Sequence, residues 1–436
     1  MADAALSIGQ STRPRIKLRH VAAAVLGNAL EFYDFTVYTF FAAEIGRAFF
    51  PSRSAFVSLI ASVSVFGVGF LGRPVGAIVI GAYGDRVGRK PAMLAVFGLM
   101  GVALLGLVAT PSYAMIGVAA PLLLLAFRLL QGFALGGVVG PATAFLLEAA
   151  RPERRGLYAS LQFASQGVST LLGGTVGVLL SSILSAQQLE TYGWRLAFFV
   201  GVAILPFGLV IRRSLPETLH AAAANSERSE SWRGHTRTIA AGFAMLAAAT
   251  VGNYVLLYMT TYASQDLHMR ANISFAAPAM FGLANVICSP LSGLVSDRIG
   301  RRPIMIGSRA LFVLATIPAF MLMVHYRTAP VVLSAVFVLG CLSQCTAPAF
   351  VSLTEALPQS IRSASLSITY AFSIAIFGGS TQTIVTWLLH ATGDLLAPAY
   401  YLTAANIVGV IAMMAMRETA PLALQRLNAR TMRKSA

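Results

Sequence analysis

Cysteine is nearly missing from this 436-residue chain: Cys288, Cys341 and Cys345 are the only three, all in apolar stretches with no histidine close in sequence. That leaves no basis for a disulfide framework or a zinc site, and no metal or cofactor is expected. Lysine is scarcer than arginine to the same degree, with Lys17, Lys90 and Lys434 the whole set. No Gly-x4-Gly-Lys-Ser/Thr segment occurs and no histidine falls in the middle of an apolar run, so ATP-driven transport and enzymatic chemistry lack their residues. Charge as a whole is sparse. Only 11% of residues are charged against 57% hydrophobic, with a mean hydropathy of +0.73, which is too much apolar surface for one water-soluble core.

What is present is a series of long apolar runs. A bilayer crossing takes about 20 helical residues, and on that measure the first half predicts spans at 21–43, 56–82, 92–110, 116–149, 157–185 and 196–211. The second half predicts 239–263, 274–296, 303–324, 330–356, 363–391 and 398–416. The expected fold is all-α and integral to the membrane, with twelve transmembrane helices in two six-helix halves, 21–211 and 239–416. Residues 1–20 read as a cytoplasmic tail and not as a cleaved signal, because the apolar run that follows soon meets Glu31 and Asp34. The polar stretch 212–238 reads as a cytoplasmic linker and 417–436 as a second tail.

The basic residues orient these spans. Lys and Arg total 32, and most fall in the two tails and in alternate loops, whereas the opposite loops hold only Arg47, Arg53, Arg195, Arg270 and Arg327. The positive-inside rule then places both termini in the cytoplasm. The formal net charge of +16 is on this view a topology signal, and nucleic acid is not an expected partner.

One phrase occurs twice, as GAYGDRVGRKP at 81–91 and GLVSDRIGRRP at 293–303, each after the second span of a half. Asp85 and Asp297 are 212 residues apart, and the pairs Glu148 with Arg155 and Glu355 with Arg362 repeat at a spacing of 207. The chain reads as an internal duplication. Glycine at Gly81 and Gly293 is expected to permit close helix approach, and at Gly88 and Gly300 a tight turn. Arg86, Arg89, Arg298 and Arg301 are suited to holding the loops at the cytoplasmic face.

This phrase, its position and its repetition resemble the major facilitator superfamily. Within it, GNALEFYDF at 27–35, GFLGRPVGA at 69–77, RLLQGF at 128–133, RRSLPET at 212–218 and AIFGG at 375–379 resemble the metabolite:proton symporters. The terminal Thr392-Gly393-Asp394 is similar to that of the citrate and tricarballylate proton symporters. The resemblance implies alternating access. It implies that Asp85 meets the start of span 11 and Asp297 the start of span 5, latching one face closed. It also associates Arg128, in the superfamily's Arg-x-x-Gln-Gly pattern, with proton coupling.

Ionisable residues inside spans are functional candidates because lipid makes an unpaired charge costly. Glu31, Asp34, Arg73 and Arg128 are these candidates, with Glu44, Glu148 and Glu355 nearer span ends. Asn28, Glu31, Asp34 and Tyr38 fall within an arc of about 120° on a helical wheel, which gives span 1 one polar face. Arg73 precedes Asp85 by 12 residues, about 18 Å at 1.5 Å per residue, and so lies near mid-membrane. Two guanidinium forks at that depth suit carboxylates, although one of them could instead neutralise Glu31 or Asp34. Gln162 and Gln166, Tyr258 and Asn285 complete the expected substrate contacts. Where the resembling family places a Glu in span 4 this chain has Val138, so Glu31 and Asp34 are the expected proton carriers. Pro290, Pro318 and Pro348 are expected to bend their spans.

The functional expectation is proton-driven uptake of a small di- or tricarboxylate such as citrate across a bacterial inner membrane, by a monomer whose partners are an organic anion, protons and the lipid bilayer. A symporter of a zwitterionic osmolyte or other metabolite, or a drug:proton antiporter, is the alternative.

Overall fold

Long uninterrupted apolar segments with few β-branched clusters and no turn signals inside them have one stable form in lipid, the helix, which satisfies its own backbone. The computed structural model of the chain describes residues 18–87, 89–136, 146, 150–213, 232–344 and 347–425, and no strand occurs among them. Twelve spans follow in order. In the first half they are α1 (Leu18–Phe40), α2 (Ala55–Gly69, continued by Gly72–Val87), α3 (Arg89–Ala109), α4 (Ala119–Gly136), α5 (Arg155–Ile183) and α6 (Trp194–Arg213). In the second half α7 runs Thr236–Leu257 and continues to a π turn at Tyr262–Asp266, followed by α8 (Ala271–Ile299) and α9 (Arg301–Tyr326). The bundle ends with α10 (Ala329–Gln344, then Ala347–Ala356), α11 (Gln359–Ser373, a π turn at Ile374–Gly378, then Gly379–Thr392) and α12 (Ala397–Met414).

Among the described residues nine helical stretches are long and apolar enough to cross a membrane, and Leu94–Ala109 in α3 is a shorter apolar one. The first span ends earlier than its apolar run suggests: the helix breaks at Phe41 and restarts as the short helix Ala42–Phe49. Pro278 and Pro290 lie inside the unbroken α8, and Pro318 inside the unbroken α9, so these prolines do not interrupt their spans. Neighbouring turns and side chains satisfy the carbonyls that a proline frees.

Lipid supplies no hydrophobic drive for one helix to meet another, so close packing of small residues carries the association. The α5–α8 contact is the most extensive in the molecule. It runs through Gly156 against Gly293, Gly167 against Gly282, and Gly174 against Ala279, where a Cβ on each glycine would strike the partner. α2 and α4 meet through Gly69 and Gly132 in the same way. Helices α1–α6 and α7–α12 face each other along α5–α8 and α2–α11, which places the polar residues of α1, α2, α4 and α5 at the seam.

Candidate transport site and gates

The seam holds a narrow cavity. Its lining is Phe32, Phe35 and Thr36 from α1, Phe66 from α2, Gln166 and Thr170 from α5, and Asn253, Tyr254 and Leu257 from α7. Phe35, Phe66, Phe70 and Tyr254 form a continuous aromatic cluster, with ring centres 5.0–6.1 Å apart across both halves.

Two guanidinium groups are set into this aromatic wall. The Cζ of Arg73 lies 4.4 Å from the Phe70 ring centre and 5.1 Å from that of Phe35. Arg128 lies 3.7 Å above the Tyr38 ring and 5.5 Å from Phe35, so Phe35 touches both arginines and the cavity. Cation–π contact holds a guanidinium without using its N–H groups. Consistent with that, Nε and Nη2 of Arg73 and all three nitrogens of Arg128 are buried with no hydrogen-bond partner. Arg128 is 0% and Arg73 3% exposed. Among the described residues neither arginine forms a contact ion pair, and both act on Asp34 through space, Arg128 the more strongly.

The α1 face opposite these cations is also buried. Asp34 Oδ2 accepts a hydrogen bond of 2.5 Å from Nε2 of Gln131 on α4, while Asp34 Oδ1 has no donor. Glu31 is buried one turn earlier. Asn28 is engaged otherwise: its Nδ2 donates to Ser165 Oγ at 2.6 Å, and its Oδ1 accepts from Gln162 Nε2 at 2.9 Å. Asn28 and Gln162 thus satisfy each other across α1–α5, whereas Gln166, one turn on, lines the cavity. Tyr38 donates to the Ser62 carbonyl at 3.1 Å while its ring carries Arg128. Tyr258 accepts from Thr386 Oγ1 at 2.9 Å in an α7–α11 contact, and the tyrosine that reaches the cavity is Tyr254, one turn earlier. Asn285 is buried on α8 against Gly167, with Oδ1 unpartnered.

One buried cation was missed from sequence. Arg309 on α9 is 1% exposed and donates from Nη1 to Asn406 Oδ1 on α12 at 2.7 Å. It lies inside the predicted span 303–324, where the rule that picked out Arg73 and Arg128 could have found it. Gln131 and Asn253, polar residues within spans 4 and 7, were signals that could have been used.

The seam is closed at two places. At the end away from the repeated loops, Phe56 stacks on His390 with ring centres 3.7 Å apart, Ser64 and Thr383 hydroxyls are 3.5 Å apart, and Gly67 abuts Gly379. At the loop end Asp297 sits on the first turn of α5, its Oδ1 accepting from Gly156 N at 2.9 Å and its Oδ2 from Leu157 N at 3.0 Å. A carboxylate there meets both the orphan N–H groups and the positive helix terminus. Arg301 is 0% exposed and braces the clasp, giving Nη1 to Asp297 at 2.6 Å and its other nitrogens to Glu355 at 3.3 Å. Glu418, just past α12, accepts from the backbone N–H groups of Arg301 and Arg302, and Thr419 donates to Glu355, so the start of the C-terminal tail is docked here.

The two copies of the phrase are not equivalent. Gly293 is pressed on Gly156, and Gly300 turns with φ +133°. Among the described residues a Cβ on Gly81 would meet nothing within 4 Å, so the close approach expected at that glycine is corrected. Arg86 and Arg298 are exposed. Gly88, Val138, Glu148 and Cys345 lie outside the described residues, as do the side chains of Asp85, Arg89 and Arg362.

Comparison with known proteins agrees with this geometry. The family model described as Major Facilitator Superfamily matches residues 24–381. A citrate-proton symporter of Klebsiella pneumoniae is 36% identical over 414 residues, covering 92% of this chain and 91% of that protein. The citrate-proton symporter of Salmonella typhi is 37% identical over 397 residues, 88% of this chain and 91% of the relative. A proline/betaine transporter of Escherichia coli K12 is 33% identical over 425 residues, 93% and 84% of the two chains. Among solved structures, a D-xylose-proton symporter matches with a TM-score of 0.71 at 19% identity, covering 93% of this chain and 98% of the other, which is a likeness of fold.

Proposed function

Because the chain belongs to the Major Facilitator Superfamily, and is therefore a multi-pass membrane transporter and not an enzyme, we propose that it is a symporter that takes up a small di- or tricarboxylate, such as citrate, with a proton. The observation that carries this reading is the pair of buried arginines. Five guanidinium nitrogens on Arg73 and Arg128 have no acceptor among the described residues, and both groups pack on Phe35, which lines the cavity between the halves. A planar fork in a low-dielectric site is matched by a carboxylate, which supplies both charge and two acceptors. The citrate-proton symporter relatives support the same substrate class.

The proton belongs to the α1 carboxylates in this reading. When a substrate carboxylate engages Arg128, its attraction for Asp34 is divided, and Asp34 and Glu31 hold a proton more readily. Substrate and proton then favour one state together, and rocking of the halves delivers both. The Asp297 clasp and the α2–α11 contact are the two gates. In this reading the protein works in a bacterial inner membrane with both termini in the cytoplasm, an orientation that the distribution of its basic residues supports.

A second reading has its own observation. The cluster of Phe35, Phe66, Phe70 and Tyr254 offers ring faces that a quaternary ammonium group also favours, and proline/betaine transporters are among the relatives. Counterflow in proteoliposomes loaded with citrate, tricarballylate, succinate, betaine or shikimate separates the two. Exchange of a carboxylate, dependent on Arg73 and Arg128, supports the first; saturation by betaine with no response to any carboxylate replaces it with the second.

A further inference from the structure

The Arg-x-x-Gln spacing on α4 puts Arg128 and Gln131 on one face, one turn apart, and the same spacing on α1 aligns Glu31 with Asp34. The functional reading uses Arg128 but leaves Gln131 idle. Gln131 is 0% exposed, in a region where a polar side chain is costly unless it is bonded. Its one hydrogen bond is to Asp34 Oδ2, at 2.5 Å, and its own Oε1 has no partner. Nothing else in its surroundings explains an amide at this position.

We propose that Gln131 is the positioning residue of the proton site: its amide holds Oδ2 of Asp34, so that the proton is taken and released at Oδ1. The inference rests on Asp34 being a proton carrier, and it names the atom and the group that fixes it. An ionised carboxylate can accept at both oxygens, and here one is occupied by the Gln131 N–H while the other is buried with no donor. Protonation at Oδ1 neutralises that unpaired oxygen without breaking the bond at Oδ2. A nonpolar residue of equal size could not hold Oδ2 in this way.

Arg128 on α4 and Arg73 on α2 are the cations that act on Asp34, and Glu31 is the carboxylate on its own helix; Tyr38 stands against Arg128, and Tyr254 on α7 and Tyr370 on α11 stand beyond Arg73. The contacts that α5 and α6 make with α1 nearby are neutral, through Ser165, Gln162 and the Ala197 carbonyl. Gln131 is thus the neutral group that sets the Asp34 geometry, while the arginines set its charge balance.

The test is an infrared titration of the purified, substrate-free protein that follows the protonated-carboxyl band against pH, with Asp34→Asn subtracted to isolate the Asp34 component. Gln131→Leu removes the donor to the ionised form and should move the midpoint of that component upward by about one to two pH units, as expected for one hydrogen bond to a charged group. Gln131→Met, equally long and also without a donor, should give the same shift and serves if the leucine variant does not fold. Proton-coupled uptake should keep its stoichiometry while its pH profile moves with the band. An Asp34 component whose midpoint stays in place in both variants overturns the role of Gln131 and leaves Asp34 as carrier. A band that Asp34→Asn does not alter removes the underlying reading instead.

Discussion

Asp297→Asn tests whether the loop-end clasp is a gate or only an anchor. The wild-type carboxylate is 3% exposed and takes three donors: the N–H groups of Gly156 and Leu157 at 2.9 and 3.0 Å, and Arg301 Nη1 at 2.6 Å. Asparagine keeps one acceptor oxygen, so its NH2 group must face a donor, and at least one charge-assisted bond is lost with the ion pair to Arg301. At about 1.5–3 kcal/mol per bond to a charged group, about 3 kcal/mol is a conservative total. If the clasp forms in one conformation only, that sum moves the balance between conformations by about 10²-fold, at 1.36 kcal/mol per factor of ten. Arg301 retains Glu355, which limits the damage to folding.

The assay is a distance measurement between spin labels at Glu153 and Ile299, both exposed and flanking the clasp, in a background with the native cysteines replaced. The variant should broaden and lengthen the distribution and cut uptake at least tenfold, with substrate binding kept within about threefold. An unchanged distribution together with wild-type uptake at equal expression would refute the reasoning, and the Asp297 contacts would then be a static helix cap.

Three further outcomes are expected. Arg73→Lys and Arg128→Lys should each raise the KM for carboxylate uptake by about tenfold or more, because an ammonium cannot reproduce a two-pronged contact; wild-type KM in both would remove the anion-binding role. Asn406→Leu should lower the thermal stability of the detergent-solubilised protein by about 2–4 kcal/mol, since Arg309 loses an acceptor at 2.7 Å while remaining buried, and adding Arg309→Met should restore most of it; a double variant no better than the single would contradict this account. Gly67→Ala puts a Cβ 2.1 Å from the Gly379 carbonyl oxygen and should block closure between α2 and α11, whereas Gly98→Ala, with nothing within 4 Å, should transport normally. Equal uptake by the two alanine variants would count against that gate.

The arrangement of spans was legible in the sequence because a bilayer reads one variable, the length of apolar helix, and each crossing meets it almost independently of the others. The duplication was equally legible, since a loop phrase repeated at 212 residues needs no folded context to be seen. Arg73 and Arg128 stood out for the same one-dimensional reason: charge inside an apolar run is costly wherever the run packs.

Partner choice was another matter, because it depends on which helix faces arrive together. Asn28 and Asp34 share one face of α1, yet packing commits Asn28 to Gln162 and gives Asp34 to Gln131 on α4, 97 positions away. Tyr254 and Tyr258 repeat one turn apart, and only the tertiary arrangement turns the first to the cavity and the second to Thr386. Arg309 lies inside the predicted ninth span, but only the packing of α12 brings Asn406 against it. The two loop phrases differ for the same reason: Gly293 is pressed on α5, whereas a Cβ on Gly81 would meet nothing within 4 Å among the described residues, so similar sequence acquires unequal contacts from the helices around it. The sequence by itself determined how many helices there are, that Arg73 and Arg128 carry charge inside apolar runs, and that the chain is a duplicate. Tertiary structure decided which of those buried groups are spent on one another and which keep unpaired donors, because hydrogen bonds act over a few ångströms that no spacing along the chain specifies.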